Sequence, residues 1–448
     1  MDQILFQYSL NPTTWVYLSS LLTIALFFKF SRFWSVRNLD LIGLIAIAPG
    51  MLLVVIGQGL GRAGWEPNET VARVGYVWLF VIGALFLIRL LCDAMMVRRP
   101  LLEPNLTAGG LAFICISLLI FLFANVITAE LRPEDWAGAK LAQEGVPPKE
   151  ATLGEHGPGY LQLLLLPNIP SKLQERQGED PAPEEQAKVQ GRITTARILV
   201  ILSHLAVVVG LVLIGYRHFD NIRTGIAVAT LYLMLPYTAQ TFGKVSYVLP
   251  AALLVWAIEE YRRPLVAGMF LGLATGAVFF PIFLLPLWIS FYWQRGALRF
   301  LGGVASMLLL LVATQYFTAP DFEAFLSQVK LMAGWPGLTF RHVNGFWTET
   351  NTAYRITILV AYVAICGGMA LWPARKNLGT LLSCSAAVML GTQFWQANDG
   401  GMHVAWYLPL LVLTVFRPNL EDRMAISTLD LSWFEKRRSQ VRRVDKAA

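Results

Sequence analysis

Apolar runs recur along this chain, separated by short polar or basic connections. A hydrocarbon core about 30 Å thick is crossed by about 20 residues of α-helix, so runs of this length predict membrane-crossing helices rather than strands. They fall at residues 13–30, 39–58, 72–91, 106–127, 198–216, 225–242, 245–261, 264–279, 281–293, 298–317, 356–372, 378–395 and 403–416, thirteen segments in all. The two flanking Pro281 are short, at 16 and 13 residues. The pattern predicts an all-α polytopic membrane protein with about 13 transmembrane helices.

Basic residues in short connections are retained in the cytoplasm, which sorts the connections into two sets. Lys29, Arg32 and Arg37 follow the first run, Arg98 and Arg99 the third, Arg217 and Arg223 the fifth, and Arg262 and Arg263 the seventh. Arg295 and Arg299 follow the ninth, Arg375 and Lys376 the eleventh, and a basic tail starts at Arg417. Every second connection is basic provided that Pro281 marks a turn between two crossings. This register predicts an N-terminus outside and a C-terminus inside.

The chain divides into four regions: N-terminal transmembrane helices (1–127), a long extracytoplasmic insert (128–196), a transmembrane region (197–416) with an outer loop at 318–354, and a basic cytoplasmic tail (417–448). The insert holds eleven acidic and seven basic residues and many prolines. Its part 171–190 reads as solvated, largely irregular chain, and the run 161–166 is too short to cross. The insert is the natural surface for a protein partner. In the tail, Leu431, Trp433 and Phe434 precede Lys436, Arg437 and Arg438, a combination expected to dock on anionic lipid.

Composition agrees with a lipid solvent, since 56% of the 448 residues are hydrophobic and only 15% are charged. The net charge of +7 would suggest nucleic acid in a soluble protein, but here the basic residues sit at the ends of apolar runs and report topology. No nucleic-acid role is expected, and membrane lipid is the expected partner. Cys92, Cys115, Cys366 and Cys384 all lie in apolar runs, where small buried hydrophobes are expected, not disulfides or zinc ligands. Residues 1–12 lack a basic n-region and no small-residue cleavage pattern comes after the first run, so the first helix is expected to remain as an anchor.

Phosphate-cradling glycine loops, zinc-ligand spacings and nucleophile elbows are absent, which sets aside the common soluble-enzyme classes. Gly268, Gly272 and Gly276 recur every four residues and predict close helix packing. Two outer segments combine aromatic surfaces with hydrogen-bonding groups, a mix suited either to sugar or head-group recognition or to an interfacial aromatic belt. One holds Arg341, His342, Asn344, Trp347, Glu349, Asn351, Tyr354 and Arg355; the other holds Trp395, Gln396, Asn398, Asp399, His403, Trp406 and Tyr407. Lys244, in a short outer connection after Tyr237 and Gln240, is placed to meet a lipid phosphate or simply to snorkel. Arg89 and Asp93, one turn apart, predict an interfacial ion pair.

From Leu235, Pro236 and Tyr237 through Gln240, Gly243 and Lys244, the order of features is distinctive. A run closed by Arg262 and Arg263 comes next, then Ala267, Gly268, Gly272 and Ala274, then Pro281 and a second run closed by Trp293 and Arg295. This order, with a later long outer loop and the stretch 395–409 before a basic tail, resembles the GT-C fold glycosyltransferase superfamily, in particular the bacterial polyprenyl-phosphate-dependent mannosyltransferase-like membrane proteins. The resemblance covers the chain after Ile198. It departs from that group in two places. Residues 59–70 offer Glu66 and Glu69 without the usual acidic-aromatic motif, and Val278, Phe279 and Phe280 stand where a basic residue often precedes the proline.

The resemblance implies a multi-pass protein of a bacterial inner membrane that moves a sugar from a polyprenyl-phosphate donor to an acceptor on the outer face, with inversion. Such a reaction needs a carboxylate to take the acceptor's proton and a cation for the leaving phosphate. Glu66, Glu69, Glu134 and Asp135 are the candidates for the one base. Lys244 and Arg341 are the candidates for the phosphate, with His342, Trp347, Glu349, Asp399 and His403 as further substrate-binding groups; no metal ligand is assigned and the cofactor is open. The alternative is a non-catalytic scaffold or assembly subunit that binds partners through the insert. A transporter would show broken helices or buried ionisable residues at the midplane, of which the sequence has few.

Overall fold

The structure is a computed structural model and describes residues 12–59, 67–96, 102–128, 184–240, 243–293, 295–318, 321–323, 325–326, 329, 345–347, 350, 352–373, 376–396 and 403–420. Among the described residues every regular element is helical. In chain order these are α1 (Pro12–Phe27), α2 (Val36–Gly57), α3 (Glu69–Leu91), α4 (Ala108–Thr128), α5 (Glu184–Arg217), α6 (Ile222–Met234) and α7 (Pro236–Gln240). Next come α8 (Val245–Glu259), α9 (Pro264–Ala277), α10 (Leu285–Phe291), α11 (Ala297–Thr318), α12 (Thr352–Leu371), α13 (Leu378–Trp395) and α14 (Val404–Phe416).

Local chemistry sets several starts. The side chains of Ser35, Asn68 and Asn221 accept from the backbone N–H of Asn38, Val71 and Thr224, satisfying donors that the first helical turn leaves open. At α13 the capping is reciprocal: Asn377 Oδ1 accepts from Thr380 N at 2.8 Å, and Thr380 Oγ1 accepts from Asn377 N at 2.9 Å.

Among the described residues seven helices are long and apolar enough to cross a membrane: α2, α3, α4, the 193–217 part of α5, α11, α12 and α13. Six further apolar helical segments are shorter. A 13-residue helix such as α6 or α14 is about 20 Å long, less than the hydrocarbon core it would have to cross. Burial explains how it persists. Every residue of α14 is buried, and α13 is buried almost all round, so these elements meet protein and need not satisfy their ends in lipid. The outer helices show the opposite pattern. Val74, Val77, Val81, Leu85 and Ile88 form an exposed stripe on α3, and Phe113, Ile116, Ile120 and Ile127 form one on α4. Such continuous apolar surface suits lipid and not water.

Two sequence expectations are revised. The composition of 171–190 predicts largely irregular chain; 171–183 lie outside the described residues, and the last part is helical, since α5 begins at Glu184. Its first residues, rich in Glu, Gln, Ala and Lys, are good helix formers and extend a helix already nucleated by the apolar run after them. Cys92 is exposed at the foot of α3, where a short 3₁₀ turn (Cys92–Met95) swings it off the packed face; Cys115, Cys366 and Cys384 are buried as expected.

The turn at Pro281 is present, but it leads through a 3₁₀ segment (Phe280–Leu284) into the seven-residue α10 in place of one helix of crossing length. Pro281 and Pro286 each lack an N–H, which favours helix starts over helix interiors. The chain nevertheless doubles back: Tyr292 Oη donates to Tyr261 O at 2.5 Å, joining the end of α10 to the start of α9. Glycines allow α9 to press against α11. A Cβ on Gly272 would lie 2.8 Å from Val304 O, and one on Gly268 would meet the Phe300 backbone, in keeping with their four-residue spacing.

The basic connections meet at one end of the bundle. Lys29 Nζ donates to Asn105 Oδ1 at 2.7 Å, and Arg223 Nη2 donates to Leu106 O at 2.9 Å. Arg217 pairs with Glu259 at 2.5 Å, while His218 Nε2 donates to Glu259 O at 2.7 Å. Lys376 Nζ donates to Ala370 O and Pro373 O, and its burial holds the ammonium below the ordinary lysine value. Arg89 and Asp93 do pair, at 2.7 Å, within a larger network that also holds Asp40 and Arg417.

Candidate functional site

The opposite end collects side chains from four separate parts of the chain. α13 closes at Trp395 and Gln396, and its last carbonyls lack intrahelical donors. Arg355, in the first turn of α12, supplies one: its Nε donates to Trp395 O at 2.9 Å and its Nη2 to Gln396 Oε1 at 2.9 Å. A cation is unfavourable at its own helix N-terminus and favourable at a neighbour's C-terminus, so the reach across relieves both. His403 supplies the other. Its Nε2 lies 3.1 Å from Gln396 O, and because a carbonyl only accepts, Nε2 carries the proton.

His403 sits immediately before α14 with φ 52° and ψ 23°, the left-handed region that non-glycine residues seldom enter. A strained conformation persists only where packing over-determines it. The packing here is aromatic. The His403 ring lies parallel to Trp406 at 4.0 Å, and Phe280 contacts His403, Trp406 and Trp395 at 5.8, 5.2 and 5.6 Å between ring centroids. Tyr247 adds contacts to His403 at 5.9 Å and Trp406 at 5.8 Å, and Trp406 Nε1 donates to Ser246 O at 3.0 Å.

Lys244, the residue before α8, lies at the rim of this cluster. Its Nζ is 5.0 Å from the centroid of the Tyr247 ring, a cation–π distance, and the residue is half-buried where the rings are buried. An ammonium at the edge of an aromatic wall can receive an anion such as a phosphate.

The structure therefore joins Lys244 and His403, which the sequence places in different connections, and adds Arg355 from the first outer segment. Phe280 and Tyr247 carry no site signal of their own in the sequence. Phe280 stands before Pro281, but nothing in the local pattern says which rings it meets. Trp347 is buried in a 3₁₀ turn (Gly345–Trp347) against α3, where Phe346 packs on Phe80 at 4.9 Å and on Tyr76 at 6.2 Å. Glu69 is exposed in the first turn of α3, with no contact to the aromatic cluster among the described residues. Glu66, Glu134, Asp135, Arg341, His342, Glu349 and Asp399 lie outside the described residues, as do the 431–438 stretch and most of the insert. Among the described residues no three His, Cys, Asp or Glu side chains converge.

No protein-family model, no curated protein and no solved structure matches this chain.

Proposed function

We propose that this protein is an integral membrane glycosyltransferase of GT-C type that takes a sugar from a polyprenyl-phosphate donor to an acceptor on the extracytoplasmic face. The observation that carries the reading is the gathering of Lys244, Arg355 and His403 around one aromatic cluster, at the end of the bundle opposite the basic connections. With the basic end cytoplasmic, the chain crosses thirteen times, its N-terminus is outside, and the cluster faces the side where lipid-linked sugars are presented. Lys244 takes the donor phosphate. One of Glu66, Glu69, Glu134 or Asp135 takes the acceptor's proton.

The test is sugar transfer from polyprenyl-phosphate donors in proteoliposomes, with each of the four acids changed singly to its amide at equal expression. Loss of turnover by about a hundredfold at one acid, with donor binding kept, is the result expected for removal of a general base. Unchanged turnover at all four overturns the assignment of the base.

A second reading, a non-catalytic scaffold that binds partners through its insert, is favoured by a specific observation. Arg355 and His403 donate to the C-terminus of α13, a structural use of both side chains. Absence of transfer by the unmodified protein with every donor supports that reading.

A further inference from the structure

At the basic end, three arginines and two aspartates from α2, α3 and the end of α14 share one buried cluster. Arg89 holds Asp40 through a two-point contact, Nε to Oδ1 at 3.0 Å and Nη2 to Oδ2 at 2.9 Å, and holds Asp93 through Nη1 at 2.7 Å. Arg417 holds the other oxygen of Asp93, with Nε at 3.0 Å and Nη2 at 2.5 Å. Both carboxylates thus already face a guanidinium. Arg37 is the third, and it leaves the cluster with one positive charge in excess.

Arg37 is only 6% exposed, and its Nη2 donates to Arg417 O at 3.3 Å. Its Nε and Nη1 are buried with no acceptor among the described residues. The charged side chains acting on it are Asp40, Arg417 and Arg89, two of them cations. A buried guanidinium with open donors is costly unless an anion completes it. Its position says which anion. Arg37 stands in the first turn of α2, a helix N-terminus that itself favours negative charge. The connection just before it carries Phe30, Phe33 and Trp34, all exposed, the aromatic belt that marks head-group depth.

We propose that Arg37 binds the phosphate of one anionic membrane phospholipid, which completes the cluster of Asp40, Arg89, Asp93 and Arg417. A guanidinium, always charged and more weakly hydrated than an ammonium, suits this buried role better than a lysine would. The site is independent of the sugar-transfer reading, being at the other end of the bundle.

The test uses the full chain purified in mild detergent, with retained lipid read by native mass spectrometry and the melting temperature read after adding phosphatidylglycerol, phosphatidylcholine or inorganic phosphate. The wild-type protein is expected to retain one phosphatidylglycerol and to be protected by that lipid alone. Arg37→Gln is expected to weaken retention about tenfold, and Arg37→Lys to weaken it less. Arg32→Gln, an exposed basic residue of the same connection, is expected to leave retention unchanged. Equal retention by wild type and Arg37→Gln, equal loss in Arg32→Gln, or equal protection by inorganic phosphate overturns the proposal. Should Arg37→Gln not fold, the comparison of the two lipids on the wild-type chain and the Arg37→Lys retention decide it.

Discussion

Arg355 and Trp395 are forty residues apart in the chain, and a 2.9 Å bond from the Arg355 Nε to the Trp395 carbonyl ties the start of α12 to the end of α13. The same guanidinium holds Gln396 and lies 5.9 Å from the Trp395 ring centroid. Arg355→Gln should therefore lower stability by about 2–4 kcal/mol, since it leaves buried acceptors open. Arg355→Lys should restore only part of this, because one ammonium cannot reproduce the fork. Thermal unfolding in detergent measures both. Wild-type stability in Arg355→Gln would mean that the cap contributes nothing.

Asp93 is fully buried and shared by Arg89 and Arg417. Asp93→Asn removes the shared anion, which leaves Arg417 without a carboxylate and Arg89 with Asp40 alone, for an expected loss of about 3–5 kcal/mol. Arg417→Gln combined with Asp93→Asn should be less damaging than the sum of the two single changes, by about 1 kcal/mol or more. A double-mutant cycle of unfolding free energies reads this coupling, and strict additivity would show that the pair does not act as one.

Gly75 and Gly50 let α2 and α3 approach closely. A Cβ on Gly75 would stand 2.7 Å from Val54 N and 2.9 Å from Gly50 O, both backbone atoms that cannot rotate away. Gly75→Val is expected to force the helices apart at about 1–3 kcal/mol, or to abolish accumulation of folded protein. Gly109, where an added Cβ meets no neighbouring element within 4 Å among the described residues, is the control: Gly109→Ala should be tolerated in the same melting assay.

Sidedness is open to labelling. In a chain with its four cysteines replaced, Glu69→Cys should react with an impermeant maleimide on intact cells, and Arg262→Cys only after permeabilisation. Both positions are exposed, so accessibility is set by the membrane and not by packing. Labelling of Arg262→Cys from outside would reverse the proposed orientation.

The apolar runs are sufficient to predict an all-helical membrane protein, because lipid forces each crossing segment to satisfy its own backbone bonds and so writes a long unbroken signal. Basic spacing likewise indicates which connections meet: Lys29, Arg217, Arg223, Lys376 and Arg417 do share one end. The doubling back at Pro281 is legible for a local reason, the missing N–H. Helix length is not. An apolar residue facing protein looks the same as one facing lipid, so α6, α8, α9 and α14 read as full crossings although burial among neighbours lets each be shorter. The sites are least legible. Arg355 meets Trp395, Phe280 meets His403, and Arg37 joins a cluster built from α2, α3 and the end of α14, only after the helices pack. Those contacts join residues far apart in the chain, and no local periodicity encodes which helix end lies beside which; tertiary packing alone decided them.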